Sequence, residues 1–154
     1  MTEMNEPLVP ADFAVPLELR TEFFVLEPLE PRHNESDYAA WTSSKDHIRA
    51  TPGFSGRRTW VDGDMSLADN AADLAIHARE FDDRTRFAYT VLDPVTAEVI
   101  GCVYIGRSGR DGHDADVRSW VRADRADLDK PLHDAVTQWL SEAWPFRHPD
   151  YAPR

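Results

Sequence analysis

The sequence holds one cysteine, Cys102, among 154 residues. No internal disulfide can form, and neither a redox cysteine pair nor a cysteine-rich zinc knuckle can be built. Basic residues are scarce. Lys and Arg number 17 against 28 Asp and Glu, for a formal net charge of -11. A surface of that sign repels phosphate, which argues against a general nucleic-acid binder and against docking on anionic lipid. Long apolar runs are missing too. The longest, Val99-Ile100-Gly101-Cys102-Val103-Tyr104-Ile105, has strand length and falls far short of the roughly 20 residues that span a bilayer. The opening residues, Met1 to Glu6, carry no basic and no apolar stretch, so no signal peptide is read and the cytoplasm is the expected compartment. Nothing reads as a phosphate-binding glycine loop, a Ser-His-Asp triad or an internal repeat.

What is present suffices for one core. Hydrophobic residues make up 42% and charged residues 29%, the balance of a single globular domain. Residues 1–16 hold Pro7, Pro10 and Pro16 without periodicity and read as an extended arm that Phe13 and Val15 could pin. Leu19 to Leu29 reads as one strand, ended by Pro28. Short helices are expected through Tyr38 to Trp41, capped by Asn34 or Ser36, and through His47 to Ala50, started by Ser43 or Ser44. Residues 53–65, with Gly53, Gly56 and Gly63, suggest a mobile loop. Ser66 with Asp69 three positions on forms a capping box, and Leu67, Ala71, Leu74, Ala78 and Phe81 follow at helical spacing. Arg86 to Asp93, Glu98 to Ile105 and Ala115 to Val121 read as three strands of an antiparallel meander. Asp127 to Trp144 carries the strongest apolar stripe of any helix, with Pro131 in its first turn. Tyr151 could begin another strand.

In this order, the residues resemble the GNAT superfamily of acyl-CoA N-acyltransferases. Leu19-Arg20-Thr21-Glu22-Phe23-Phe24-Val25-Leu26 resembles the first strand of its ribosomal-protein-alanine acetyltransferase branch. Glu98-Val99-Ile100-Gly101 resembles the third strand. Ala115-Asp116-Val117-Arg118-Ser119-Trp120-Val121 resembles the fourth, with Asp116 at the acidic position. The resemblance implies an α+β fold, a mixed and mainly antiparallel sheet flanked by helices, over residues 17–154 as one domain. It implies an N-acetyltransferase that moves an acetyl group from acetyl-CoA to a small amine or a protein N-terminus. Asp116 would be the general base. The backbone of Trp120, Val121 and Arg122 would meet the pantetheine arm, and the turn holding Arg125 and Lys130 would meet the phosphates. In the family that turn is glycine-rich, so that N–H groups reach the pyrophosphate at a helix N-terminus. Here Arg122-Ala123-Asp124-Arg125-Ala126-Asp127-Leu128-Asp129-Lys130-Pro131 has no glycine, and its three aspartates repel phosphate. The family also continues past the long helix with more elements, so the chain is expected to be a shortened version with an open sheet edge. The N-terminal arm or a second copy in a homodimer would cover that edge.

Each candidate has a plainer reading. Asp116 and Arg118 share a strand face and could simply pair. Absence of turnover is the alternative function: a catalytically inactive ligand-binding or protein-interaction module, as a dimer. His113, Asp114 and Asp116 could hold a divalent metal but match no strong ligand spacing, and no metal site is assigned. His77 stands four residues after Asp73, the spacing of a helical surface pair. His47 could border a cleft. Arg57 and Arg58 could hold a carboxylate at an acceptor site or stay solvated. Trp139 and Trp144 belong to the helix stripe, whereas Trp60 has no periodic context and could line a cleft or a dimer contact. Cys102, inside the apolar run, reads as buried and inert.

Overall fold

The computed structural model describes residues 6–154. Residues 1–5, on which the expectations of no signal peptide and of the arm's start fall, lie outside the described residues. A six-stranded sheet in the order β1 to β6 carries helices on both faces. The strands are β1 (Leu19–Arg20), β2 (Val25–Pro28), β3 (Phe87–Leu92), β4 (Val99–Gly106), β5 (Ala115–Val121) and β6 (Pro149–Tyr151). Neighbours are antiparallel except β5 and β6, which run parallel. The sheet is thus mixed and mainly antiparallel, as expected. The helices are α1 (Asn34–Thr42), α2 (Lys45–Ala50), α3 (Leu67–Asp82) and α4 (Asp129–Ala143).

Alternation along the strands builds two cores. Phe87, Tyr89 and Val91 point to the α4 face, where Leu132, Val136, Trp139, Leu140 and Trp144 cover them. Ala88, Leu92, Cys102 and Trp120 point to the other face, under α1, α2 and α3. The parity of β4 changes at a bulge: Val91 pairs with Gly101 but Leu92 with Val99, leaving Ile100 as the extra residue. Gly101 allows the tight approach of β5 there, because a Cβ would run into the Trp120 carbonyl oxygen.

Four expectations change. The single strand over 19–29 is instead two short strands around a turn, in which Thr21 Oγ1 accepts from the N–H groups of Phe23 and Phe24. The expected caps of α1 and α2 act at longer range. Ser36 Oγ accepts from Val99 N at 2.8 Å, and Ser44 Oγ from Ala123 N at 2.8 Å, so both hydroxyls tie helices to the sheet side. Residues 53–65 form turns and a 3-10 segment at Trp60–Asp62, anchored by Arg49 Nε on Asp62 Oδ1 at 2.7 Å. Finally, β6 of the same chain pairs with the first part of the β5 edge, over Ala115–Val117, where the arm or a second copy is expected.

The rest holds. Ser66 and Asp69 close the capping box of α3 in both directions. The arm lies on the α4 core: Val9 is buried, Phe13 and Val15 are partly so, and Arg84 donates to the carbonyls of Pro10 and Phe13. Cys102 is fully buried, and burial pushes its thiol well above the usual range. No helix among the described residues is long and apolar enough to cross a membrane.

Candidate functional site

The structure separates two places around β5. One is a cleft of about 270 Å³ on the α1–α3 face. Helix α1 supplies Asp37 and Trp41, and α3 supplies Asn70, Asp73 and His77. The 53–65 segment supplies Phe54, Arg57, Arg58 and Trp60. Arg86, Tyr104 of β4 and Arg118 of β5 also line it.

The cleft is built from the helical period and the strand pleat. Asp37 and Trp41 are four residues apart, so both face inward from α1. Asp37 is only 4% exposed, and Asn70 Nδ2 donates to its Oδ2 at 3.0 Å. Trp41 Nε1 in turn donates to Asn70 Oδ1 at 3.1 Å, fixing the amide. Burial raises the Asp37 carboxyl above its ordinary range, more than the Asn70 bond and the nearby His77 lower it. Asp73 and His77 make the expected i, i+4 contact at 3.4 Å, and both line the cleft, His77 largely buried and Asp73 partly exposed. Trp60 packs edge-on against Trp41, Phe54 and Tyr104, with centroids 5.7 to 6.4 Å apart, and tilts over Trp120. Tyr104 accepts a hydrogen bond from Trp120 Nε1 at 3.1 Å, and burial holds its phenol far above the ordinary range.

Arginines rim the cleft. The Arg86 stem packs against Gly106, and its guanidinium stands 5.9 Å from the Tyr104 ring centre. The Arg118 stem lies against Gly53, and its Nε meets Asp116 Oδ2 at 2.9 Å.

The second place is the parallel junction of β5 and β6, where the resemblance puts coenzyme A. The strands pair only from Ala115 to Val117. Beyond them, the Ser119 carbonyl accepts from Arg154 Nη2 at 2.8 Å, and the Ser119 hydroxyl meets the Tyr151 hydroxyl. Arg154 is held from behind by Asp129 at 2.7 Å, with its side chain 5% exposed. The turn after β5 is equally occupied. Arg122 makes two bonds to Asp124, Arg125 meets Asp93 at 2.6 Å, and Lys130 meets Asp134 at 3.0 Å. The N-terminus of α4 runs back into a 3-10 segment over Ala123–Leu128, whose own bonds use N–H groups that a phosphate would need. As arranged, these residues do not fit a pantetheine arm and a pyrophosphate.

The remaining candidates sort as follows. Asp116 pairs with Arg118 and stands outside the cleft lining. Trp120 is fully buried and shows the cleft only through its contact with Trp60. Val121 is likewise buried, paired across to Gly101. His113 Nδ1 faces the His148 carbonyl, and Asp114 accepts from the N–H groups of Arg147 and His148 with both carboxylate oxygens. No metal-binding group of three ligands occurs among the described residues. His47 is away from the cleft. Sequence reasoning missed Asp37, Arg86 and Tyr104. Two of the three carried a signal: Asp37 shares a helix face with Trp41, and Tyr104 points opposite to Val103 and Ile105.

No protein-family model matches the sequence, and no curated protein sequence matches it. Solved structures do. A ribosomal-protein alanine acetyltransferase from Vibrio fischeri superposes with a TM-score of 0.63 at 13% identity, over 83% of this chain and 69% of its own. The fold is that of the GNAT acetyltransferases. The self-immunity acetyltransferase MccE, solved with acetyl-CoA and AMP, gives 0.61 at 11% identity, over 83% and 67% of the two chains. A GNAT-type N-acetyltransferase from Brucella melitensis gives 0.60 at 16%, over 90% and 61%. At such identities the likeness speaks for the GNAT architecture, and the chemistry must come from this chain's own residues.

Proposed function

We propose that this chain uses the GNAT fold to bind a small amine, or the amino terminus of a peptide, in the cleft between α1, α3 and β4–β5. The observation that carries the reading is Asp37. A carboxylate with one neutral hydrogen-bond donor, buried in an aromatic-walled cleft, lacks the cation that normally accompanies such burial. An ammonium supplies it. Asp73 adds a second carboxylate on the same side, and Trp60 and Tyr104 offer ring surface to the cation. The arrangement binds and orients; the filled β5–β6 junction supports the non-catalytic form of this reading.

A second reading, acetyl transfer from acetyl-CoA, draws support from the fold and from MccE, which was solved with acetyl-CoA. It requires Arg154 and the aspartates around the turn to give way. Calorimetric titration distinguishes the two. The binding reading expects a peptide with a free amino terminus to bind and its N-acetylated twin not to, with no heat from acetyl-CoA or free coenzyme A up to millimolar concentration. Micromolar binding of coenzyme A would establish the second reading, and equal binding of both peptides would remove the first. The homodimer and the cytoplasmic compartment remain expectations, checked by light scattering and by fractionation.

A further inference from the structure

We infer that the ligand of the cleft is a zwitterion with a flat apolar body, of the aromatic α-amino acid class. The inference rests on the amine reading above and adds an anionic group and a ring to it.

The anionic group follows from the rim. Among the described residues Arg57, Arg58 and Arg86 have no carboxylate within 4.0 Å, although the chain carries eleven more acidic than basic groups. Elsewhere Arg20, Arg32, Arg49, Arg110, Arg122, Arg125, Lys130 and Arg154 each hold a carboxylate, and Arg84 and Arg107 spend their guanidinium groups on backbone carbonyls. Lys45, Arg79 and Arg147 are unpaired away from the cleft, but only at its mouth do three arginines without a carboxylate stand together among the described residues, beside Arg118. Arg86 is also positioned, since its stem rests on Gly106 and its head lies over Tyr104. A planar fork aimed into a partly enclosed site matches a carboxylate in two-point contact.

The ring follows from the walls. Trp41, Phe54, Trp60 and Tyr104 form an edge-to-face set in which Trp60 stays half-buried and keeps ring surface for one more ring. Size points the same way. A cleft of about 270 Å³ falls just below the roughly 300–1,000 Å³ of drug-sized small-molecule sites, which suits one amino acid rather than a nucleotide. Acidic floor and basic rim then read the two charges of a zwitterion in one orientation.

The test titrates the full chain with L-phenylalanine, phenethylamine and 3-phenylpropionate, followed by calorimetry. The three probes share the ring and differ only in charge. Phenylalanine is expected to bind about ten-fold or more tightly than either analogue. Arg57→Gln with Arg58→Gln, on an exposed segment, should weaken phenylalanine and leave phenethylamine unchanged. Asp37→Asn should weaken phenylalanine and phenethylamine and leave 3-phenylpropionate unchanged. If phenethylamine equals phenylalanine, the anionic half is overturned while the amine reading stands. If 3-phenylpropionate equals phenylalanine and Asp37→Asn changes nothing, the amine reading falls as well. Absence of binding by all three probes up to about 10 mM overturns the inference, and the free and acetylated peptides then score the amine reading separately.

Discussion

Two sets of basic residues stand on either side of β5, and they are treated differently by the fold. At the turn after β5, Arg122, Arg125 and Lys130 are each matched by an aspartate. At the cleft mouth, Arg57, Arg58 and Arg86 are left without one. The same side chain therefore does opposite work. In the turn it satisfies charge and ties segments together, as Arg125 does by reaching Asp93 in the hairpin between β3 and β4. At the cleft it supplies uncompensated charge where a ligand could use it. Positive charge in a sequence is thus a weak pointer to an anion site until its partners are known.

Three changes would break or sharpen this contrast. The largest effect is expected from Trp120→Ala, because Trp120 is fully buried and its ring joins Tyr104 and Trp60 while its strand borders the β5–β6 junction. A cost of about 3–5 kcal/mol is expected, read as a lower urea midpoint with both regions disordered together. If the cleft alone suffered, the two regions would be less coupled than the sheet implies.

Next is Asp37→Asn. The carboxyl is raised in the folded chain, chiefly by burial, so its charged form costs stability above the folded value. That cost fades as pH falls through the folded value and toward the unfolded one. The variant should therefore melt higher than the parent at pH 8, with the gap closing toward pH 4, while binding of phenethylamine is lost. A variant that melts lower at every pH would show Asp37 to be a structural residue.

The smallest effect is expected from Asp93→Asn. Its carboxyl is held down to about 2, first by Arg125 and then by the N–H groups of Thr96 and Val95. Whatever it adds to stability is present above the ordinary carboxylate range and fades as pH falls toward about 2. The thermal midpoint should move less than for either change above, since the Arg125 side of the pair is about a third exposed and solvent screens it. Micromolar binding of free coenzyme A by this variant, absent in the parent, would mean that this carboxylate is what closes the turn.

Periodic signals carried the fold. The α4 stripe, the Ser66–Asp69 box and the alternation of β3 and β5 were all legible, because each is a local pattern with one physical cause. The hairpin at Thr21 was not, since a threonine hydroxyl turning the chain between two apolar stretches leaves no break in apolarity. Ser36 and Ser44 read as caps but bond to Val99 and Ala123, partners 63 and 79 residues away. The site was half legible. Arg57, Arg58 and Trp60 were noticed as loop residues, and the fold gathers them with Asp37 and Tyr104, which local spacing does not connect. The pairing of Arg125 with Asp93 likewise depends on bringing two turns together. Asp116, marked by resemblance, is engaged by Arg118.

The most direct measurement is the indole N–H spectrum of the five tryptophans during titration with L-phenylalanine. Trp41, Trp60 and Trp120 belong to the cleft face, and Trp139 and Trp144 to the α4 face. The account predicts shifts of the first three signals with the last two unmoved, and no shift of any signal on adding coenzyme A. Movement confined to Trp139 and Trp144, or a response to micromolar coenzyme A, would contradict it.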